Sequence, residues 1–427
     1  MDYFEQVKGY KEIKKELEHT LDIMVNGEKY CKLGVTTPRG LLLYGVPGVG
    51  KTLMANCFIK ASGRKMFICR KDKPDGDFVK YIKSTFDEAK NNAPSIVFLD
   101  DMDKFANKDR YHKNAEEYVT IQSCIDDVKN YEVFVLATAN DIDNLPGSLL
   151  RVGRFDKTIY VQNPKGKDAE EIISYYMSKK KYVAEMDTSF ISKLLDGRSC
   201  AELETVINEA GLEAGFQGKD KIEMDDMVTA CMRIIFNAPE SIDFDLGDIE
   251  ATAYHEAGHA VLAELFEPNS VNIVSVRPHN GNVGGVTSYY QDDSYFRHKS
   301  LMEYRVISLL GGKAATEIVY GEVDTGANND LHRAFDIVTR FVDNYCSTSF
   351  DRWEMNQKSS PALMERKEMQ IYTEMERYYQ LAKKLLIRNR AFLDAIAKAL
   401  VEKKTIIAKD IVAIKESCNI EKQDILL

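Results

Sequence analysis

The 427-residue sequence predicts a multidomain α/β + α protein, with a parallel-sheet domain, a small helical subdomain and a mainly helical second domain. Three observations predict this organisation. Short apolar runs alternate with helical patterns over residues 40–161, helical periodicity alone follows over 166–236, and a polar, acidic segment at 237–247 precedes a further helix-rich part. The chain is also too long for one ordinary core, so two or three domains are expected.

Apolar runs predict the strands of the first domain. The predicted strands are 40–44, 95–100, 132–137 and 155–161. Helix-length patterns at 80–90 and 115–128 lie between them, and this alternation is typical of a parallel sheet covered by helices. Beyond the acidic segment we expect mostly helix, with a short hairpin near 271–290.

The composition describes a folded chain with an acidic balance. Hydrophobic residues make up 44% of it, and 57 basic residues face 67 acidic ones, for a net charge of −10. This balance argues against a broad nucleic-acid footprint. The eight cysteines are scattered without a CxxC pair, and no apolar run reaches the roughly 20 residues that cross a bilayer. We therefore expect a cytoplasmic chain without a membrane segment.

A phosphate-binding pattern follows the first predicted strand and precedes a helical pattern, the context that such a loop requires. Glycines let backbone N–H groups turn toward phosphate, and the helix amino terminus adds partial positive charge. Lys51 is expected to reach the β- and γ-phosphates of ATP, and Thr52 to bind Mg²⁺. The predicted nucleotide-binding residues of the loop are Gly45, Val46, Pro47, Gly48, Val49, Gly50, Lys51 and Thr52.

Polar residues follow two further strands at the same expected edge of the sheet. Asp100 and Asp101 end the strand SIVFLDD, where the first carboxylate can hold Mg²⁺ and the second can polarise the attacking water. Asn140 ends the strand VFVLATAN. Downstream, Arg151 and Arg154 lie in LLRVGRFD, and from the residues alone a catalytic role is no better supported than ordinary surface charge.

A metal-binding pattern lies in the second domain. His255 and His259 are four residues apart and therefore project from one face of a helix. Glu256, beside the first histidine, can act as a general base toward water. Catalytic zinc takes three protein ligands and keeps one position open. The spacing supplies two of these ligands and leaves the third undefined.

The phosphate loop, the acidic strand, the polar strand tip and the segment R-x-G-R-F-D, in this order, resemble an AAA+ ATPase domain. The resemblance implies that Asn140 is the sensor-1 residue. It also implies that Arg151 and Arg154 are arginine fingers, which reach the γ-phosphate bound by a neighbouring subunit. Such domains form rings, usually hexamers, with ATP and Mg²⁺ at the subunit interfaces.

The segments YHEAGHA, GGVTSYY and LLGGKAATEIVYGEVDTGANNDL resemble the zincin-like peptidase domain of the FtsH family over residues 249–345. In that family the third zinc ligand is an aspartate in a TGAxxD segment, which corresponds to Asp330. Neither composition nor spacing would choose Asp330 over Glu317 or Glu322. The order of the two modules is that of FtsH over nearly the whole chain. It implies a homohexamer that unfolds protein substrates with ATP and cuts them at a Zn²⁺ site in each subunit.

This resemblance implies four segments. They are an AAA+ large subdomain at 1–163, a helical lid at 164–237, a linker at 238–247 and the zinc peptidase domain at 248–427. FtsH relatives begin with transmembrane helices, whereas here the ATPase pattern starts close to Met1. We expect either a soluble relative or a chain whose anchor is missing from this sequence.

Two further departures concern the motor. The family has Asp-Glu on the acidic strand, and Asp101 replaces the glutamate here, which retracts the carboxylate by about 1 Å and predicts slow ATP hydrolysis. The family's pore loop grips substrate with an aromatic-hydrophobic-glycine motif, but residues 69–78 are charged and shorter. Gly76 is a candidate for the glycine, and Phe67 or Phe78 for the aromatic, although both phenylalanines fit a core role equally well. Loosely folded substrates are therefore expected.

Three functional hypotheses follow. The first is an ATP-dependent zinc metalloendopeptidase. The second is an ATPase remodelling factor with an inactive peptidase, which the intact metal-binding and general-base residues oppose. The third is a zinc peptidase whose divergent AAA+ ring acts mainly as an assembly scaffold, which the change at Asp101 and the altered loop favour. Four intact residues of the ATPase pattern oppose the third hypothesis, namely Lys51, Thr52, Asn140 and Arg154.

Overall fold

The computed structural model describes residues 3–72, 74–106, 115–238, 246–277, 284–289, 298–322, 325–343, 361–418 and 420. The chain divides into two compact units, Met1–Met227 and Val228–Leu427. In the part of the chain described, no helix is both long and apolar enough to cross a membrane.

The first unit contains a five-stranded parallel sheet in the order β2-β3-β4-β1-β5. Its strands are β1 (Gly40–Tyr44), β2 (Lys65–Cys69), β3 (Ser95–Leu99), β4 (Val133–Ala139) and β5 (Lys157–Tyr160). Strands β3 and β4 are buried along their whole length, as expected of strands covered on both faces. The four predicted strands are confirmed, with ends that differ by up to two residues.

Strand β2 is absent from the sequence prediction. It lies at the edge of the sheet, where Lys65 and Met66 are exposed and only Cys69 is buried. A strand that is half covered gives neither a continuous apolar run nor a clear alternation, so its pattern is weak.

The helices of the first unit precede, separate and follow these strands along the chain. They are α1 (Lys11–Val25), α2 (Gly27–Cys31), α3 (Lys51–Ser62), α4 (Asp75–Asn91), α5 (Glu116–Asp127), α6 (Gly166–Ser178), α7 (Thr188–Leu194) and α8 (Cys200–Phe216), with α9 (Met224–Ile234) at the division between the units. Helices α4 and α5 confirm the two helix predictions, and α6 to α9 confirm helical structure over 166–236. A capping box of Ser199 and Glu202 begins α8.

The strand order brings the predicted nucleotide residues to one edge of the sheet. Strand β1 pairs with β4, and β4 pairs with β3, all parallel, so the carboxyl ends of these strands are neighbours. The loop at 45–50 follows β1, Asp100 and Asp101 follow β3, and Asn140 follows β4. This edge is where open α/β sheets bind their ligands.

The second unit combines a small sheet with long helices. Its helices are α10 (Leu246–Phe266), α11 (Lys299–Leu309), α12 (Gly311–Tyr320), α13 (Asn328–Asp343), α14 (Pro361–Arg388), α15 (Arg390–Lys403) and α16 (Ala408–Ser417). The sheet has the order β7-β6-β8, with β6 (Val271–Ser275), β7 (Val286–Tyr289) and β8 (Thr405–Ile407), all antiparallel. The predicted hairpin is confirmed as β6 and β7. Strand β8 is absent from the prediction, because three residues between two helices are too few to show alternation.

The stretch at 69–78 does not present an aromatic side chain on a loop. Phe78 is fully buried and packs edge-to-face on Phe105, with ring centroids 4.9 Å apart. Phe67 lies in β2 and packs against the same core. Gly76 lies in the first turn of α4. Phe78 is therefore a core residue and Phe67 a partly buried strand residue packed against the core, which decides the alternative that the sequence left open.

Candidate nucleotide site and metal centre

The phosphate loop has the backbone that its glycines permit. Gly48 and Gly50 have φ angles of +82° and +93°, in the region that residues with a Cβ rarely adopt. Helix α3 begins directly after Gly50, at Lys51. The loop therefore joins β1 to a helix amino terminus, the arrangement that binds phosphate.

Lys51 is buried inside this loop. Its ammonium donates to the carbonyl oxygens of Gly45 at 2.7 Å and Val46 at 2.9 Å, and to Asn140 Oδ1 at 3.0 Å. Burial lowers the pKa of Lys51, and the negative charge of Asp101 opposes that shift. The predicted lysine and the predicted polar strand tip are therefore in direct contact, although 89 residues separate them.

Asp100 is the most fully engaged carboxylate of the site. Its Oδ1 accepts from the hydroxyls of Thr52 at 3.1 Å and Thr138 at 2.8 Å. Its Oδ2 accepts from Arg70 Nε at 2.8 Å and lies 2.7 Å from Arg70 Nη2. The predicted Mg²⁺ ligands Thr52 and Asp100 are thus brought together. The sequence prediction missed Thr138 and Arg70, and no local pattern singles them out.

Asp101 has left-handed backbone, with φ +55°, at the start of a short 3₁₀ helix. Its carboxylate accepts from Lys104 Nζ at 2.6 Å, and its N–H donates to Thr138 Oγ1 at 2.9 Å. Asp103 accepts from the Asn140 backbone N–H at 3.0 Å and from its side-chain amide at 3.4 Å. Asp103 therefore orients the residue that contacts Lys51, a role that the run Asp-Asp-x-Asp could have suggested.

The two predicted arginine fingers have different environments. Arg154 contacts residues of its own chain, where Nη1 donates to Ser148 O at 2.7 Å and Nη2 to Asp126 Oδ2 at 2.8 Å. Hydrogen bonding from Arg154 lowers the pKa of Asp126. Arg151 is exposed. Arg151 is therefore the more accessible of the two to a neighbouring molecule.

In the second unit, the two buried histidines of α10 and one partly buried aspartate of α13 form a cluster. The Nε2 atoms of His255 and His259 are 3.0 Å apart, and Asp330 Oδ2 lies 3.4 Å from the first and 3.3 Å from the second. All three ligand atoms lie within 4.8 Å of one another. Although burial favours its neutral form, hydrogen bonds with both histidines hold the pKa of Asp330 well below its ordinary value.

The orientation of His259 is set by its other nitrogen. Nδ1 lies 2.7 Å from the carbonyl oxygen of Ser308, and this contact is a hydrogen bond only if Nδ1 carries the proton. The Nε2 lone pair then points at His255 and Asp330, as a metal ligand requires. Two imidazoles and a carboxylate form a donor set that suits zinc.

Glycines make room for this cluster. A Cβ on Gly312 would lie 2.5 Å from His255 Nε2 and 2.6 Å from His259 Nε2. A Cβ on Gly258 would lie 2.3 Å from Gly311 O, so α10 and α12 pack with backbone in contact. The segment that contains Gly311 and Gly312 therefore forms one wall of the metal centre, and only hydrogen fits there.

Glu256 lies beside the cluster and is held by β7. Thr287 Oγ1 donates to Glu256 Oε2 at 2.5 Å, and a Cβ on Gly285 would lie 2.7 Å from Glu256 Cγ. Strand β7 is an edge strand, since it pairs only with β6 among the described strands. The sequence prediction missed Thr287, whose role depends on a hairpin that returns to α10.

Neither alternative acid joins the metal centre. Glu317 pairs instead with Lys383 at 2.9 Å and with the hydroxyl of Tyr379. Hydrogen bonding from Tyr379 lowers the pKa of Glu317 to about 2. Glu322 is exposed. Geometry thus singles out Asp330, the residue that the family resemblance had indicated.

Fold and sites together define the class of the protein. A P-loop ATPase unit is joined, in one chain, to a helical unit with a largely buried His-His-Asp cluster and an adjacent glutamate, which are the parts of a zincin-type metallopeptidase.

Comparisons with known proteins narrow this class to a family. Residues 247–414 match the model for peptidase family M41, and residues 41–163 match the model for the ATPase family associated with various cellular activities. ATP-dependent zinc metalloprotease FtsH 2 of Thermoanaerobacter sp. (strain X514) is 31% identical over 97% of this chain and 83% of its own length. FtsH of Thermus thermophilus is 30% identical, over 98% of this chain and 71% of its own. The chain belongs to the FtsH family.

Proposed function

We propose that this chain is an ATP-dependent zinc metalloendopeptidase that unfolds and degrades proteins as a homohexameric ring. The observation that carries the proposal is the cluster of His255, His259 and the partly buried Asp330, with buried Glu256 beside it. Polar side chains that hold their ligand atoms close together away from solvent are typical of a metal site. This geometry opposes the hypothesis of an inactive peptidase.

In the peptidase unit, each of these side chains has one proposed task. His255, His259 and Asp330 would hold Zn²⁺, which polarises the scissile carbonyl and makes water more acidic. Glu256 would take a proton from the attacking water and later deliver it to the leaving amine. Thr287 keeps one carboxylate oxygen of Glu256 hydrogen-bonded, which leaves the other oxygen for this transfer.

In the ATPase unit, Lys51 would bind the β- and γ-phosphates, while Thr52 and Asp100 would hold Mg²⁺. Asn140 would sense the γ-phosphate, and Asp101 would orient the attacking water. The contact between Lys51 and Asn140 and the hydrogen bond between Thr52 and Asp100 support these roles. Since Asp101 is short and is paired with Lys104, we expect slow hydrolysis.

The ring is proposed from the arginine segment. Arg151, exposed, is our first candidate for the finger that reaches a neighbour's nucleotide, and Arg154 would support it after leaving Asp126. Substrates would be loosely folded proteins, since Phe78 is buried in the core and Phe67 lies in β2, partly buried against that core, so neither stands on a loop that could grip a chain. The proposed segments remain 1–163, 164–237, 238–247 and 248–427.

The test is cleavage of unfolded, fluorescently labelled casein. Wild-type protein should cleave it with ATP, and not with ADP or with ATP plus a zinc chelator. Glu256→Gln should abolish cleavage and keep ATP hydrolysis, whereas Glu250→Gln, on the exposed side of the same helix, should change neither. Undiminished cleavage by the Glu256→Gln protein would refute the peptidase assignment.

A second candidate is a zinc peptidase whose ATPase unit only assembles the ring. The pairing of Asp101 with Lys104 favours it, because that carboxylate is then held away from water activation. Lys51→Ala separates the two candidates, with Lys60→Ala, exposed on the same helix, as its control. If cleavage needs metal but is the same with and without ATP, and survives Lys51→Ala, the scaffold function is correct.

A further inference from the structure

Arg70 is a basic residue of the nucleotide site that no part of the proposed function uses. It follows directly after β2, whose carboxyl end lies beside that of β3 at the ligand-binding edge of the sheet. Its Nε and Nη2 atoms both lie on Oδ2 of Asp100, at 2.8 and 2.7 Å. The first charged residue of the stretch at 69–78 therefore lies at the nucleotide site.

The surroundings of Asp100 explain why a cation is held there. The side chain of Asp100 is 9% exposed, and two threonine hydroxyls occupy its Oδ1. Neutral hydroxyls leave the negative charge in place, and a buried carboxylate without a countercharge is strongly unfavourable. Arg70 supplies the countercharge in direct contact, through Oδ2, the oxygen on which neither threonine donates, and Lys51 adds a more distant positive charge.

Thr52 and Asp100 are also the pair proposed to hold Mg²⁺. The carboxylate of Asp100 would therefore have to bind two cations, Arg70 and Mg²⁺. A guanidinium cannot lose its proton in a protein, and Arg70 therefore has to move away or share when the metal binds. Its side chain is 56% exposed, which leaves it space to swing toward solvent or toward phosphate.

We propose that Arg70 is a resident cation of the nucleotide site that competes with Mg²⁺ for Asp100. The inference rests on the proposed binding of ATP and Mg²⁺ and deepens it. With Arg70 in place, Asp100 repels the phosphates less, so the protein binds ATP better without metal than it otherwise would. With Mg²⁺ present, the contact between Arg70 and Asp100 is lost, and this loss offsets part of the free energy that the metal contributes to ATP binding. The dissociation constant for ATP consequently depends less on Mg²⁺ than in a site without the arginine.

The experiment measures the dissociation constant of the imido analogue of ATP, which is not hydrolysed, by calorimetry with magnesium chloride and with EDTA. The ratio of the EDTA value to the magnesium value is the quantity of interest. Arg70→Ala should raise this ratio about tenfold, the effect of one charge-assisted hydrogen-bonded pair. Arg70→Lys keeps the positive charge but loses the pair of guanidinium nitrogens that contact Asp100, so it should raise the ratio less.

Controls separate this effect from general charge. Lys80→Ala removes an exposed positive charge from α4, with its side chain 83% exposed, and should leave the ratio unchanged. In an Asp100→Asn background, Arg70→Ala should no longer alter the ratio, because the shared carboxylate is gone. Melting temperatures of all variants verify that each is folded.

The outcomes are distinct. Wild-type protein that binds the analogue in magnesium, with a ratio unaffected by both Arg70→Ala and Arg70→Lys, would overturn the competition and leave the proposed function intact. An equal change in Arg70→Ala and Lys80→Ala would also overturn it, since bulk charge would then be the cause. Wild-type protein that binds no nucleotide in either buffer would overturn the proposed ATPase, and the competition with it.

Discussion

Gly312→Ala should weaken zinc binding although it replaces none of the proposed metal ligands. The added methyl carbon would lie 2.5 Å from His255 Nε2 and 2.6 Å from His259 Nε2. Ordinary contacts between such atoms are about 3.5 Å or more, so both rings have to retreat by roughly 1 Å. Zinc ligation tolerates errors of about 0.2 Å in ligand distance. We therefore expect zinc affinity to fall on the order of 10²-fold, the upper end of the effects seen when the surroundings of metal ligands are altered.

Zinc content after dialysis and competition with a chromogenic chelator measure this loss directly. Overpacking of this kind costs about 1–3 kcal/mol of stability, so the melting temperature is recorded alongside. Gly284→Ala is the matched control, because a Cβ there would meet nothing within 4 Å. A folded Gly312→Ala protein that binds zinc as tightly as the wild type would refute the reasoning.

Three further predictions concern other sites. Asp101→Glu should speed ATP hydrolysis, by up to the order of 10²-fold, because the longer side chain restores the lost reach; an unchanged turnover rate would show that carboxylate length does not limit the motor. Thr287→Val should lower kcat for peptide cleavage about tenfold at unchanged KM by releasing Glu256, and Thr287→Ser should restore it; a rise in KM alone would instead assign Thr287 to substrate binding. The third prediction concerns pH. The pKa of Glu317 is depressed from its ordinary 4.5 to about 2, so its stabilisation is complete above pH 4.5 and is lost as pH falls toward 2. The difference in melting temperature between wild type and Glu317→Gln should therefore shrink between pH 6 and pH 3, and a constant difference would contradict this.

The parts of the molecule that could be predicted are those whose signal is local in sequence. The phosphate loop, the acidic strand and the histidine pair each lie within about ten consecutive residues, and local spacing dictates which side chains share a helix face or follow a strand. Buried strands such as β3 and β4 were equally clear, since both of their faces are covered. The edge strand β2 was missed because it is only half covered, and β8 was missed because three residues are too few to show alternation.

Contacts between distant segments were decided only by the folded structure. The choice of Asp330 over Glu317 as the partner of His255 depends on where α12 and α13 return against α10, which no spacing expresses. The same holds for Arg70 and Asp100, 30 residues apart in sequence, which meet because β2 and β3 are neighbours in the sheet. Sequence patterns thus revealed which chemical groups the chain carries, and tertiary packing determined which of them share a site, because distances across a fold depend on the arrangement of whole elements.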